Sequence, residues 1–384
     1  MNIGVDLHKY NESEIDDMLK KPWCSDGKVF SERLWGRKQQ LVADLVEKDL
    51  PQALIRGESN DKIIDRWAEK LDADRKAVGR VVRTERAYVN SRAALESYKK
   101  LGIKKYQILA TLDLKTSSIC RDMDHKGRNK DEPFFYLDEY KVGLTAPPFH
   151  CNCRTTTVPY YDDFTEDEKR SMRDEEGKTK KVPADMTYDE WYKKYVRDNP
   201  KTLAEEKKIK NKASDQKQYE KYKEILGNDI PKSFDNFQNL KYNNSTEWKL
   251  TRYNYKLKNE VKNNPQCILE GADKFSSDER KYTSYLFGGT NKEGLAKGRA
   301  FDSRLGYNSS NYKDLDKLIK ENIDKYPAIF KADTPHGKKY EVNMVLKGLT
   351  DKQAKVKVGI MSDENGPRLT TVFIDKLKES EIDD

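Results

Sequence analysis

Between Cys120 and Cys153 the chain gathers Cys120, His125, His150, Cys151 and Cys153, with Asp113 just upstream. Thiolate and imidazole groups at this density suit a tetrahedral zinc ion, which takes sulfur and nitrogen donors. The run His150-Cys151-Asn152-Cys153 can present a histidine and a cysteine from one tight turn. The smallest closed ligand set is Cys120, His150 and Cys153, with Asp113 or Cys151 as the fourth member. A structural ion fits better than a catalytic one, because catalysis needs an open coordination position and a placed acid or base. Nothing in the spacing fixes Asp122 or Asp124 in that role. The competing reading is an ordinary loop plugged by Pro147-Pro148-Phe149.

The elements that must position these groups follow from periodicity. From Ser31 to about Ile55, Leu34, Leu41, Leu45, Leu50 and Leu54 recur at helical spacing until Gly57. Further helices are expected over Asn60 to Leu71 and Asp74 to Leu101, the latter with Val78, Val81, Val82, Val89 and Ala93 on one face. Glu85 shares that face, as a structural polar residue pairing with a nearby arginine or capping the metal loop, or as a catalytic carboxylate. Lys105 to Leu112 alternates like a strand and leads into a loop-rich stretch from Asp113 to Tyr160.

Asp162 to about Asn264 is dominated by Lys, Glu, Asp and Asn and is expected to be a linker with lone helices. Beyond it, Ser277 to Phe287, Leu295 to Leu305 and Asn311 to Tyr326 have helical spacing. Lys338 to Leu346, Ala354 to Met361 and Leu369 to Ile374 alternate as strands, with turns at Gly348, Asp351, Asn365 and Gly366. The expected fold is α+β and multidomain. Helical hairpins occupy 1–110, a zinc-stapled β/loop module 111–162, a charged helical linker 163–264, and an α+β domain with an antiparallel sheet 265–384.

Bulk properties agree with small cores. Hydrophobic residues are 35% and charged residues 36% of 384, and mean hydropathy is −1.00, so metal or partners should add to stability. The net charge of +8 is a small surplus of 74 basic over 66 acidic residues, which permits nucleic-acid contact without requiring it. The five cysteines, Cys24, Cys120, Cys151, Cys153 and Cys267, are an odd set that suits metal binding in a reducing compartment better than disulfides. The acidic stretch Met1 to Asp17 does not read as a signal peptide, and no run approaches the ~18 apolar residues of a membrane span. A phosphate-binding loop, a dinucleotide fingerprint and a nucleophile elbow are all missing, which disfavours a nucleotide-driven packaging motor.

The same residues carry a resemblance. Trp35, Arg83-Thr84-Glu85 with Tyr88 and Asn90, Ala110-Thr111-Leu112-Asp113, Thr116-Ser117, Ile119-Cys120-Arg121, Ala146-Pro147-Pro148-Phe149-His150 and Asn152-Cys153-Arg154 through Pro159 resemble the phage head morphogenesis, Mu F-like minor head protein family. The similarity covers about residues 20–162. It implies a low-copy virion or procapsid component, made in the host cytoplasm and associated with portal, scaffold and capsid proteins, that aids head assembly or DNA ejection. Relatives commonly have proline at the position of Cys151, and the sequence between Lys126 and Leu144 lacks the family's glycine- and valine-rich turn.

A second resemblance lies in Tyr282, Tyr285-Leu286, Lys297 through Phe301, Leu305-Gly306-Tyr307, His336 through Tyr340 and Pro367 through Thr371. Over about residues 272–376 these are similar to a small domain carried by bacterial polymorphic toxins, related to barnase, colicin and RelE-like ribonucleases. That similarity implies metal-independent RNA cleavage, in which a 2′-hydroxyl attacks the adjacent phosphate and cations hold the developing charge. His336, Arg368 and Thr370 are then the candidate catalytic residues. Lys338, Lys355 and Lys357 are candidate DNA or RNA contacts, with Lys355 and Lys357 on one strand face. The alternatives are a phosphate-binding surface without cleavage and a merely solvated cationic sheet with a turn histidine.

Overall fold

The computed structural model describes residue 41, residues 44–161 and residues 168–382. The expected helix start at Ser31, with Leu34 and Trp35, and the readings of Met1 to Asp17 and Cys24 lie outside them. The chain divides into one unit ending at Glu206 and a second beginning at Lys207. In the first, a helical turn at Leu45–Asp49 continues into α1 (Leu50–Ile55), followed by α2 (Asn60–Leu71) and α3 (Arg75–Lys100). Ser59 and Asp74 start α2 and α3 by accepting backbone N–H groups one turn in. Helical spacing brings Leu50, Ala53, Ile63, Ile64, Trp67, Val78, Val82 and Val89 into one core. The Trp67 indole donates to Asp49 at 2.6 Å, and Arg66 bridges Asp49 and Glu58 along the edge of that core.

At 26 residues α3 serves a second core as well. Its Leu95 and Tyr98 pack with Tyr106 and Ile108 of β1 (Lys105–Leu109) and with Met123, Phe135 and Tyr140. β1 is the middle of an antiparallel sheet between β2 (Phe135–Tyr136) and β3 (Thr156–Pro159). Ile108 stands opposite Thr157, whose hydroxyl meets that of Tyr98 at 3.2 Å. Between β1 and β3 regular structure is confined to α4 (Ser118–Met123), the two-residue β2 and one helical turn at Leu137–Glu139.

The charged stretch expected as a linker is folded wherever it is described. β4 (Lys169–Arg173) and β5 (Thr179–Pro183) form a hairpin that is followed by α5 (Tyr188–Tyr192). Met172, Val182, Tyr188, Trp191 and Val196 enclose Leu112 and Leu114. A buried ion pair fastens the two segments: Arg170 meets Asp124 at 3.1 Å, both side chains nearly inaccessible. Arg170 also donates to the carbonyls of Ala110 and Met186, and Asp124 accepts the backbone N–H groups of Ala110 and Tyr188 at 2.6 Å each. α6 (Pro200–Lys210) carries Glu206, which is buried and held by Arg121 at 3.2 Å and the Tyr192 hydroxyl at 2.8 Å.

The second unit begins with α7 (Lys212–Leu226), α8 (Phe234–Asn243) and α9 (Ser245–Asn263). Tyr219, Tyr222, Leu226 and Phe237 form a small aromatic core, beside a buried Asp215 held by Gln238, Lys241 and Tyr242. Leu250, Tyr253 and Leu257 of α9 enter the core of the C-terminal domain, so this helix is part of its wall. There α10 (Lys292–Leu305) and α11 (Tyr312–Lys320) precede the antiparallel meander β6 (Ala328–Thr334), β7 (Gly337–Lys347), β8 (Gln353–Asp363) and β9 (Gly366–Ile374).

The α+β class with an antiparallel sheet is therefore as expected. The sequence reading omits β6, a largely exposed edge strand with no inside–outside alternation, and the helix expected over Ser277 to Phe287 shrinks to a turn at Lys281–Leu286. Among the described residues no helix is long and apolar enough to cross a membrane.

A buried ion pair that loses one member leaves an uncompensated charge, at a cost of about 3–5 kcal/mol. Asp124→Asn in the full chain should therefore lower the urea midpoint of the first unit strongly. Asp65→Asn, which breaks an exposed pair with Arg75, should scarcely move it.

Candidate metal centre

Two local devices bring the donors together. Ser117 caps α4 by accepting the Cys120 N–H at 3.3 Å, which turns the Cys120 side chain inward. The second device is the turn at 150–153, closed by the Cys153 N–H donating to the His150 carbonyl at 3.2 Å. Asn152 supports that turn with φ of +58°, a left-handed conformation asparagine tolerates. The N–H of Asn152 donates to the Thr84 hydroxyl at 3.0 Å, so α3 steadies the turn. Ala110 and Phe149 pack against the two buried thiols.

The donors converge. Cys120 Sγ lies 3.6 Å from Cys153 Sγ and 2.9 Å from His150 Nε2, and one donor atom from each residue falls within 4.8 Å of the others. His150 Nδ1 is 2.7 Å from the Cys151 carbonyl. A carbonyl only accepts, so Nδ1 carries the proton and Nε2 presents its lone pair to the thiols. Two thiolates about 2.3 Å from a tetrahedral zinc stand roughly 3.7 Å apart, close to the spacing found. The imidazole is nearer than the roughly 3.5 Å such an ion asks for and would draw back slightly to admit it. The residues present thus fit a tetrahedral ion through two sulfurs and one nitrogen.

The hydrogen bond from Cys120 pulls the Cys153 thiol down, against burial and with help from backbone amides. The same bond and burial push the Cys120 thiol up. A bound cation takes both sulfurs as thiolates and displaces the protons they carry.

The other expected ligands are placed differently. Asp113 does not join the cluster: Arg154 grips its carboxylate with both guanidinium arms, and the Lys115 N–H and Thr116 hydroxyl donate to it at 2.9 and 3.0 Å. Burial works to raise the Asp113 pKa, but Arg154 prevails and holds it below the usual carboxylate range. Cys151 is exposed and contributes its carbonyl rather than its thiol. His125 turns to Arg170, whose guanidinium lies 3.0 Å from Nε2; burial pushes its pKa down.

Asp122 is exposed and Asp124 belongs to the Arg170 pair. Glu85 is buried in α3, and its neighbour Thr84 makes the contact with the metal loop. Thr84, Ser117, Asn152 and Thr155 stand in the motifs quoted from the sequence, but none of their side chains is given a part in the site there. The capping role of Ser117 had a local signal, a serine three residues before Cys120 at a helix start.

In the second unit the expected catalytic and nucleic-acid residues do not form one site. Lys355 is 2% exposed and held between Asp375 and Glu381, at 3.0 and 2.6 Å. Lys357 pairs with Glu341 and the same Asp375. The alternation that puts both lysines on one face is real, but carboxylates neutralise that face. Thr370 lies in a cleft with Asp278, Arg280, Lys281, Ser284, Tyr285 and Thr371. His336 is exposed in the β6–β7 turn, Lys338 is exposed beside it, and Arg368 pairs with Asp363. The register sets Lys339 opposite Met361 and Met361 opposite Arg368, so these last groups share one end of the sheet.

Comparison with known proteins finds two matching families. Residues 268–376 match a domain of unknown function, DUF6883, which covers the meander and the two helices before it. Residues 44–158 match the family described as Phage Mu protein F like protein. No curated protein and no solved structure matches the chain. The second match runs from the helical turn before α1 to Val158 in β3 and encloses Cys120, His150 and Cys153, so this stretch of the chain is similar to the Phage Mu protein F like family, with the donor cluster inside it.

Proposed function

We propose that this protein is a minor head protein of a bacteriophage, a low-copy part of the virion or procapsid. In this reading it is made in the host cytoplasm and contacts portal, scaffold and capsid proteins during head assembly or DNA ejection. The observation that carries the reading is the Mu F-like match over residues 44–158, with its donor cluster at the convergence of α3, α4 and the turn before β3. Cys120, His150 and Cys153 hold a zinc ion that staples the loop between β1 and β3. Such a cross-link serves a segment with few regular backbone hydrogen bonds, and it keeps a partner-binding loop in one shape before partners arrive.

The second unit supplies nucleic-acid contact. His336, Lys338, Lys339 and Arg368 gather at one end of the sheet, where Asp333 stands opposite Lys338 and Asp363 pairs with Arg368. Lys and Arg side chains of this kind bind phosphate by counterion release, irrespective of sequence.

Two measurements test these roles. Mass spectrometry of heads purified from cells making the phage should find the chain at a few copies per head, and heads made with a Cys120→Ser, Cys153→Ser chain should lack it. Heads free of the wild-type chain would overturn the assembly role. For the second unit, Lys338→Ala with Lys339→Ala should weaken DNA binding alike across sequences. It should also reduce the slope of log affinity against log salt by about 0.9 for each phosphate that is no longer neutralised. An unchanged slope would remove this end of the sheet from the binding surface.

A further inference from the structure

The donor cluster has three protein members and an unfilled side. Asp113 is fully engaged by Arg154, and the Cys151 thiol points to solvent. The gap opens onto a hollow of about 30 Å3, enough for a water molecule, lined by Ser117, Cys120, His150, Lys115, Arg154 and Thr155. Thr155 is 7% exposed and lines this hollow, its hydroxyl beside the Cys120 thiol. Ser117 Oγ, 2.7 Å from His150 Nε2, supplies a second hydroxyl beside the donors.

We propose that the metal centre is an open one. Its fourth coordination position is occupied by a water molecule that Thr155 hydrogen-bonds, and small anions exchange with that water. This rests on the metal reading given under Proposed function and specifies its coordination. Three protein ligands plus a solvent position is the arrangement of zinc sites that keep Lewis acidity, whereas a purely structural site closes with a fourth side chain. Lys115 and Arg154 at the rim favour an anion over a neutral ligand at that position. The ion would then be both a staple and a point at which a small anion, or a carboxylate from an assembly partner, can attach.

The test is cobalt(II) substitution of the full-length protein, read by its thiolate charge-transfer and d–d absorption. The expected result is a tetrahedral cobalt spectrum whose charge-transfer intensity is unchanged by Cys151→Ser and falls by about half in Cys153→Ser. Sodium azide should shift the d–d bands along a saturable curve, and Thr155→Val should weaken that azide affinity about fivefold, as loss of one hydrogen bond does. Loss of about a third of the charge-transfer intensity in Cys151→Ser, or d–d bands indifferent to azide, would overturn the open site while leaving the metal in place. A protein that takes up no cobalt would overturn the metal reading itself, and the open site with it.

Discussion

The segment from Asp113 to Thr155 has to hold one shape with little secondary structure, and the first unit is organised around that constraint. A loop of this length pays in conformational entropy when ordered, and α4, β2 and one helical turn restrain only a fraction of it. The remaining restraint comes from side chains. Arg154 fixes the two ends of the segment by gripping Asp113, Asp124 ties its middle to β4 and α5 through Arg170 and Tyr188, and Cys120, His150 and Cys153 bring its halves within reach of one ion. Each is a point contact between residues distant in sequence, where closure restrains most chain.

The same logic explains why residues 168–206 belong to the first unit. Leu112 and Leu114 leave β1 with nothing in the Mu F-like segment to cover them, and the hairpin and α5 bring Met172, Val182, Tyr188 and Trp191 to that place. A chain poor in apolar residues gains cover here with few side chains, most of them aromatic or long, and uses buried, fully hydrogen-bonded charge for the rest. Asp215 and Lys355 in the second unit repeat the device: each is buried and each is surrounded by opposite charge or donors.

Legibility in the sequence followed the range of the interaction that creates each element. α2, α3, β1 and the last three strands were readable because their burial pattern repeats within a few residues. The three donors were readable from residue type alone, since Cys and His at loop density point to metal whatever the fold. Asp113 looked like a ligand because its engagement by Arg154, forty-one residues on, leaves no local mark. Lys355 and Lys357 looked like phosphate contacts because a two-residue spacing fixes a face but not what covers it; Asp375 and Glu381 do so from beyond the sheet. The charged stretch looked like a linker for a related reason. Its strands alternate Arg170 and Met172 inward, and an inward arginine is visible only once Asp124 is seen opposite.

The central claim is that a zinc ion joins Cys120, His150 and Cys153 and holds this loop. Its most direct measurement is the metal content of the purified full-length chain, determined by inductively coupled plasma mass spectrometry beside the His150→Ala chain. The account requires close to one zinc per wild-type chain and next to none in the variant. A wild-type chain that is folded, equally stable in chelator and free of metal would contradict it, and would leave the two thiols and the imidazole as a hydrogen-bonded cluster of the loop.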